Sequence, residues 1–200
     1  MDIDLFPIKV RKGIIKPSEE QETKTYNTLV SLFYQCTENS WVGESGKSTG
    51  ELNLSLHEQP SLNWLFDALH KEVLNFWNDI GYRQNANIFL LNSWANIHTK
   101  NDTTAEHSHS DGSYGDNHIS GVYYFRKPKN DGHIMFCDPL DYIRRLSPYE
   151  NMFGIETISE AVVADQYEFI LFPSWLRHKV TKYQIDKSRI AISFNYRGFW

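Results

Sequence analysis

The sequence predicts an α+β protein that is mainly β, a helix-buttressed β-sandwich or jelly roll, and two observations carry that reading. Apolar residues recur at helical spacing in two stretches before residue 80, whereas from Ala86 onward the spacing shortens to that of strands. The second part is cut by turn-forming pairs (Lys127-Pro128, Asp138-Pro139, Asp165-Gln166, Asp186-Lys187) into short segments, as in chains that fold back on themselves around a closed β core. With 200 residues, 40% hydrophobic and 14% aromatic, the chain fits one domain over 1–200. Such a domain buries roughly 70% of its unfolded surface. We expect 1–85 to form helical support and 86–200 the β core.

The elements follow in order. Asp4 to Ile15, broken by Pro7 and Gly13, reads as an edge strand or extended lead-in. Pro17-Ser18-Glu19-Glu20-Gln21 opens a helix, with Ser18 and Gln21 spaced as a capping box and Tyr26, Leu29, Val30, Phe33 and Cys36 on one face. Glu38 to Ser61 holds glycines at 43, 46 and 50 among serines and threonines, and reads as a long loop of the kind that covers a binding site. Its Gly43-Glu44-Ser45-Gly46-Lys47-Ser48 ends like a phosphate loop, but the first glycine stands too close to Gly-Lys-Ser and no apolar strand precedes it. Ser61 to Asp79 is a second helix, with Leu62, Leu65, Phe66, Leu69, Val73, Phe76 and Trp77 inward. Asn87 to His98 is a long strand, its first half buried on both faces and its second half alternating. Six shorter strands follow at Ile119–Phe125, Gly132–Cys137, Ala161–Ala164, Tyr167–Phe172, Lys179–Tyr183 and Arg189–Asn195.

Composition excludes several function classes. A net charge of −5 argues against a dedicated nucleic-acid binder, which needs a basic stripe to neutralise phosphates. Cys36 and Cys137 form no CxxC pair, so neither a disulfide framework nor a zinc knuckle is indicated, and reduced thiols in the cytoplasm are the default. No run approaches the roughly 20 apolar residues of a membrane span.

The chemistry concentrates in Glu106-His107-Ser108-His109-Ser110-Asp111. Extended, this stretch puts His107, His109 and Asp111 on one side, because strand side chains alternate with period two. Two imidazoles and one carboxylate suit an open-sided ferrous site, and a distal histidine is supplied by His178, which ends the apolar run from Leu171.

Five motifs in order resemble one family. Ser93-Trp94-Ala95-Asn96, His107-Ser108-His109, Ser120-Gly121-Val122-Tyr123-Tyr124, Phe172-Pro173-Ser174-Trp175-Leu176-Arg177-His178 and Arg189-Ile190-Ala191-Ile192-Ser193-Phe194-Asn195 are similar to a phage and bacterial branch of the Fe(II)- and 2-oxoglutarate-dependent dioxygenases. The resemblance implies a double-stranded β-helix, with Fe(II), 2-oxoglutarate and dioxygen as the reacting set. It also implies that Arg189, eleven positions after His178, clamps the far carboxylate of 2-oxoglutarate through its planar fork. The family often carries a serine two residues after the arginine; Ala191 stands there, so Ser193 or Tyr124 is the expected second contact. His109 and His178 belong to either ligand set. We expect Asp111 to complete the triad, since one carboxylate lowers the +2 charge of the metal; His107 is the alternative, because the branch reads His-x-His.

The implied activity is hydroxylation of an unidentified substrate, a protein (prolyl) side chain by analogy or a small molecule. Two rivals stand beside it: a cupin-type enzyme with three histidines and no 2-oxo acid, and a non-catalytic jelly-roll binding module. Of Trp94, Tyr123, Tyr124 and Trp175, one or two should line the pocket; His98, His118 and His133 read as surface residues, and His57 and His70 as solvated or capping ones.

Overall fold

The structure, a computed structural model, describes residues 7–37, 45–110, 116–129, 132–141 and 159–200. Its strands are β1 (Arg11–Ile14), β2 (Lys47–Ser48), β3 (Asn87–His98), β4 (Thr104–His107), β5 (Ile119–Arg126), β6 (Ile134–Cys137), β7 (Ser159–Val162), β8 (Glu168–Pro173), β9 (His178–Val180) and β10 (Arg189–Phe199), with helices α1 (Glu19–Phe33) and α2 (Asn63–Asp79). They form a six-stranded sheet in the order β1-β8-β5-β10-β3-β2 and a four-stranded sheet in the order β4-β9-β6-β7, every pair antiparallel. This is the expected mainly β architecture with two N-terminal helices. Among the described residues no helix is long and apolar enough to cross a membrane.

The larger sheet separates two interiors. Ile190, Ile192, Phe194 and Tyr196 of β10 enter a core with the helices, together with Tyr123 and Phe125 of β5 and Phe169 and Leu171 of β8. Their alternate neighbours Val122, Tyr124, Ile170, Phe172 and Ala191 belong to a second core between the sheets. The period of two sorts each strand in this way, so one register serves both the scaffold and the site.

The helices cover the outer face for reasons visible locally. Ser18 Oγ accepts from Gln21 N (3.2 Å) and Gln21 Oε1 from Ser18 N (2.8 Å), the capping box read from the sequence, and α1 then buries Thr25, Leu29, Leu32 and Phe33. Helix α2 buries Leu65, Phe66, Leu69, Val73, Phe76 and Trp77, each contributing about 1.5–3 kcal/mol by leaving water.

Two expectations need correction. The first half of β3 is not buried on both faces: Leu91 is 37% exposed, and among the described residues this half pairs with β10 alone, β2 meeting only Ile97 and Asn96. Nor is 45–62 an open loop. It carries β2 and three single turns of 3₁₀ helix, and buried Thr49 accepts the Ala95 N–H through Oγ1 (2.9 Å), so this segment is tied to β3. The rest of the Glu38–Ser61 stretch, 38–44, lies outside the described residues.

Gly121 marks where the sheet is tightest. A Cβ there would stand 2.5 Å from Phe194 Cε2 and 2.8 Å from Leu171 Cδ2, both fully buried side chains from the flanking strands. Gly121→Ala should therefore destabilise the fold by about 1–3 kcal/mol through overpacking. Urea denaturation checks this, and a variant of unchanged midpoint would show that the sheet yields where we hold it rigid.

Candidate metal centre

The register of the smaller sheet begins the site. Antiparallel pairing of β4 with β9 sets His107 opposite His178, and their ring centroids lie 4.4 Å apart. After β4 the chain curls so that the His109 N–H donates to Ser174 O (2.9 Å), which brings its ring within 5.0 Å of His107 and 5.1 Å of His178. Candidate ligand atoms of the three histidines all lie within 4.8 Å of one another, and His109 and His178 are buried.

Hydrogen bonds fix which nitrogen each ring presents. His107 Nδ1–H donates to Ala105 O (2.8 Å), His178 Nδ1–H to Leu176 O (3.0 Å) and His109 Nδ1–H to Asn195 Oδ1 (2.8 Å). A neutral imidazole carries one proton, so each Nε2 is left with its lone pair. Burial, then the neighbouring His107 and His109, hold the His178 imidazole well below its ordinary range, which keeps it neutral. Three lone pairs thus converge, with His107 Nε2 and His109 Nε2 only 3.2 Å apart. Facing lone pairs repel unless a cation sits beside them. A metal–imidazole bond of about 2.1 Å would place ligands at right angles about 3 Å apart, close to that spacing. Three neutral donors on one side of a divalent ion leave the opposite side open. The residues present therefore fit a ferrous ion.

A cavity of about 460 Å³ opens beside the histidines, within the usual range for a small-molecule site. Arg189, Ala191, Ser193 and Asn195 line it from β10; Asn92, Trp94, Asn96 and His98 line it from β3, each set at alternate positions. Val122 and Tyr124 of β5 complete the wall, and Ser45, Lys47 and Glu51 stand at the tied segment. Arg189 is 2% exposed; it donates to Gly132 O (2.8 Å) and to His98 Nδ1. The Tyr124 phenol is pushed up to about 12 by burial, against the pull of Arg189, so it stays a hydrogen-bond donor. Gathered donors and one buried guanidinium fit a small dicarboxylate.

The sequence-predicted residues divide as follows. His107, His109, His178, Arg189, Ser193 and Tyr124 all face one cavity. Asp111 lies outside the described residues. Trp94 lines the cavity and stacks on His109 (5.7 Å, 23°), whereas Tyr123 sits in the helix-side core and donates to Ile15 O (2.9 Å), and Trp175 is 46% exposed. His98 is not a surface residue. It is 5% exposed, since its strand position faces inward, and burial followed by the Arg189 charge pushes its imidazole down to about 3. His57 is tied rather than solvated, its ring at 2.9 Å from Ser93 Oγ, and His70 stacks on Tyr196. Sequence reading missed His98, Asn92 and Asn195; the signal was polar residues at alternate positions of two strands whose other face is apolar.

A fold of two antiparallel sheets with three histidines converging beside a cavity between them defines a double-stranded β-helix metalloenzyme. The family model described as "Putative 2OG-Fe(II) oxygenase" matches residues 92–195, and the chain belongs to that family. It is an Fe(II)- and 2-oxoglutarate-dependent oxygenase, with dioxygen as co-substrate. No curated protein matches its sequence. Its fold is similar to a Pseudomonas putida prolyl-4-hydroxylase (TM-score 0.62, 10% identity, 95% of this chain and 92% of that one covered). Similar too are HygX from Streptomyces hygroscopicus, solved with nickel and 2-oxoglutarate bound (0.62, 12%, 94% and 82%), and a Trichoplax adhaerens prolyl hydroxylase in complex with a hypoxia inducible factor peptide (0.62, 13%, 94% and 82%).

The lowered His98 predicts an acid sensitivity. Unfolded, His98 titrates near 6.5; folded, near 3, so between those values the unfolded chain binds the extra proton. Its contribution to stability is present above the unfolded value and lost as pH falls toward 3. His98→Gln removes that titration and should flatten the decline of stability across this window by up to one proton, measured by urea unfolding at a series of pH values. An unchanged slope would show that His98 does not titrate as its burial requires.

Proposed function

We propose that the protein hydroxylates a protein substrate at a prolyl side chain, with Fe(II) held by His107, His109 and His178 and 2-oxoglutarate anchored by Arg189. The observation that carries this reading is the convergence of three Nε2 lone pairs on the cavity that Arg189 also lines. The reading takes His107 rather than Asp111 as third ligand, because the register of β4 against β9 supplies it directly. When bound, iron and co-substrate supply oxidative chemistry in which 2-oxoglutarate and dioxygen give succinate and carbon dioxide, and one oxygen enters a C–H bond.

The chain's own groups do the rest. Arg189 receives the far carboxylate in two parallel hydrogen bonds, and neutral His98, accepting from the guanidinium, keeps its plane oriented. Tyr124 and Ser193 offer hydroxyl donors to the same molecule from adjacent strands. Val122, Ile134, Phe172 and Val180 also line the cavity, and apolar walls that exclude water strengthen an ion pair formed there. The prolyl assignment is supported by the shared fold with two prolyl hydroxylases.

Anaerobic addition of Fe(II) and then 2-oxoglutarate should produce a weak visible charge-transfer band. Its absence, with iron bound, would exclude chelation by the 2-oxo acid and favour a cupin-type chemistry. Prolyl peptides that gain one oxygen in step with succinate release support the substrate; turnover confined to small molecules removes it.

Arg189→Ala leaves a carboxylate buried without its cation, a cost of roughly 3–5 kcal/mol. The apparent affinity for 2-oxoglutarate should fall by about two to three and a half orders of magnitude at about 1.4 kcal/mol per tenfold. Unchanged co-substrate affinity would relocate the site. For the metal, His107→Ala should abolish tight iron binding while Asp111→Ala retains it, measured side by side by anaerobic titration. The reverse outcome restores the aspartate.

A further inference from the structure

Of the three histidines, His109 is held differently. His107 and His178 rest their Nδ1–H on backbone carbonyls two residues earlier in their own chain segments, whereas His109 rests on a side chain, Asn195 Oδ1, from the other sheet. Asn195 is fully buried on β10, and both the oxygen and the nitrogen of its amide are engaged. Its Oδ1 accepts from His109 (2.8 Å) and from Ser120 Oγ (2.7 Å), while its Nδ2 donates to Asn92 Oδ1 (2.8 Å). Ser120 and Ser174 hydroxyls lie 2.8 Å apart. A hydroxyl has one proton, and that of Ser120 goes to Asn195, so Ser174 donates to Ser120. The same Ser174 accepts the His109 N–H through its carbonyl, and Asn117 Nδ2 donates to the His109 carbonyl (2.8 Å). Backbone and ring of His109 are therefore fixed by one connected network drawn from β3, β5, β10 and the turn after β8.

The orientation of that amide sets the tautomer. With Oδ1 toward the ring, His109 must carry its proton on Nδ1 and offer Nε2 as a lone pair beside His107 and His178. Were the amide reversed, its NH₂ would face Nδ1, and the proton would move to Nε2, into the centre of the cluster. We propose that Asn195 is the positioning residue of the metal centre: its side-chain oxygen holds His109 in the metal-binding tautomer, with Ser120 and Asn92 locking the amide. This rests on the reading of His109 as a ligand. Supporting groups of this kind typically change metal affinity 10–100-fold when lost.

The test uses Co(II) as probe, titrated calorimetrically and by its visible ligand-field bands, with the parent, Asn195→Leu, Asn195→Asp and His109→Ala. Leucine keeps the volume and loses the acceptor; it should weaken Co(II) binding about 10–100-fold and alter the band pattern at saturation. Aspartate keeps an oxygen toward Nδ1–H and should restore both affinity and spectrum, which a purely packing role would not require. His109→Ala should lose tight binding altogether; if it binds as the parent does, the ligand assignment fails rather than the positioning role. Parent-like affinity and spectrum in the leucine variant, or equal loss in both Asn195 variants, overturns the proposal. Should the leucine variant not fold, ring ¹⁵N spectra of the metal-free parent decide. His109 as the Nδ1–H tautomer upholds the proposal, and as the Nε2–H tautomer overturns it.

Discussion

Strand β10 is the constraint on which the molecule depends. It lies between β3 and β5 in the larger sheet, so its register is fixed from both sides, and its side chains alternate between two interiors. Ile190, Ile192, Phe194 and Tyr196 anchor the helices; Arg189, Ala191, Ser193 and Asn195 line the cavity. A slip of one residue would exchange the sets, burying a guanidinium in the helix core. The hydrophobic effect that packs α1 and α2 onto the sheet is thus also what aims Arg189 and Asn195 inward.

Neutral acceptors take part in holding both the guanidinium and the histidines of the cavity. Arg189 bonds a carbonyl and an imidazole held neutral by burial; the three converging histidines each give a proton to a neutral acceptor and keep a lone pair. The converging lone pairs, costly alone, favour a bound cation.

The smaller sheet brings two of the three clustered histidines together. It supplies His107 and His178 as facing residues of β4 and β9, while the larger sheet supplies the amide that fixes His109. Closing the two sheets on each other is therefore what assembles the cluster. The tied segment with Thr49 and β2 covers the edge of β3 and adds Lys47 and Glu51 to the rim.

By itself the sequence determined the local features: the Ser18–Gln21 cap, the inner face of α2, the span of β3 and the His-x-His and Arg189 motifs. These depend on residues within a few positions of each other, where periodicity and capping act. Only the tertiary structure decided what depends on register and closure. His98, read as a surface residue, is buried beside Arg189; Tyr123 and Tyr124, neighbours in one motif, face opposite interiors; and Asn195, unremarkable at the end of a strand motif, meets a histidine 86 positions earlier. A sequence shows which side chains share a face of a strand, but which interior that face meets is set by how the sheets pack.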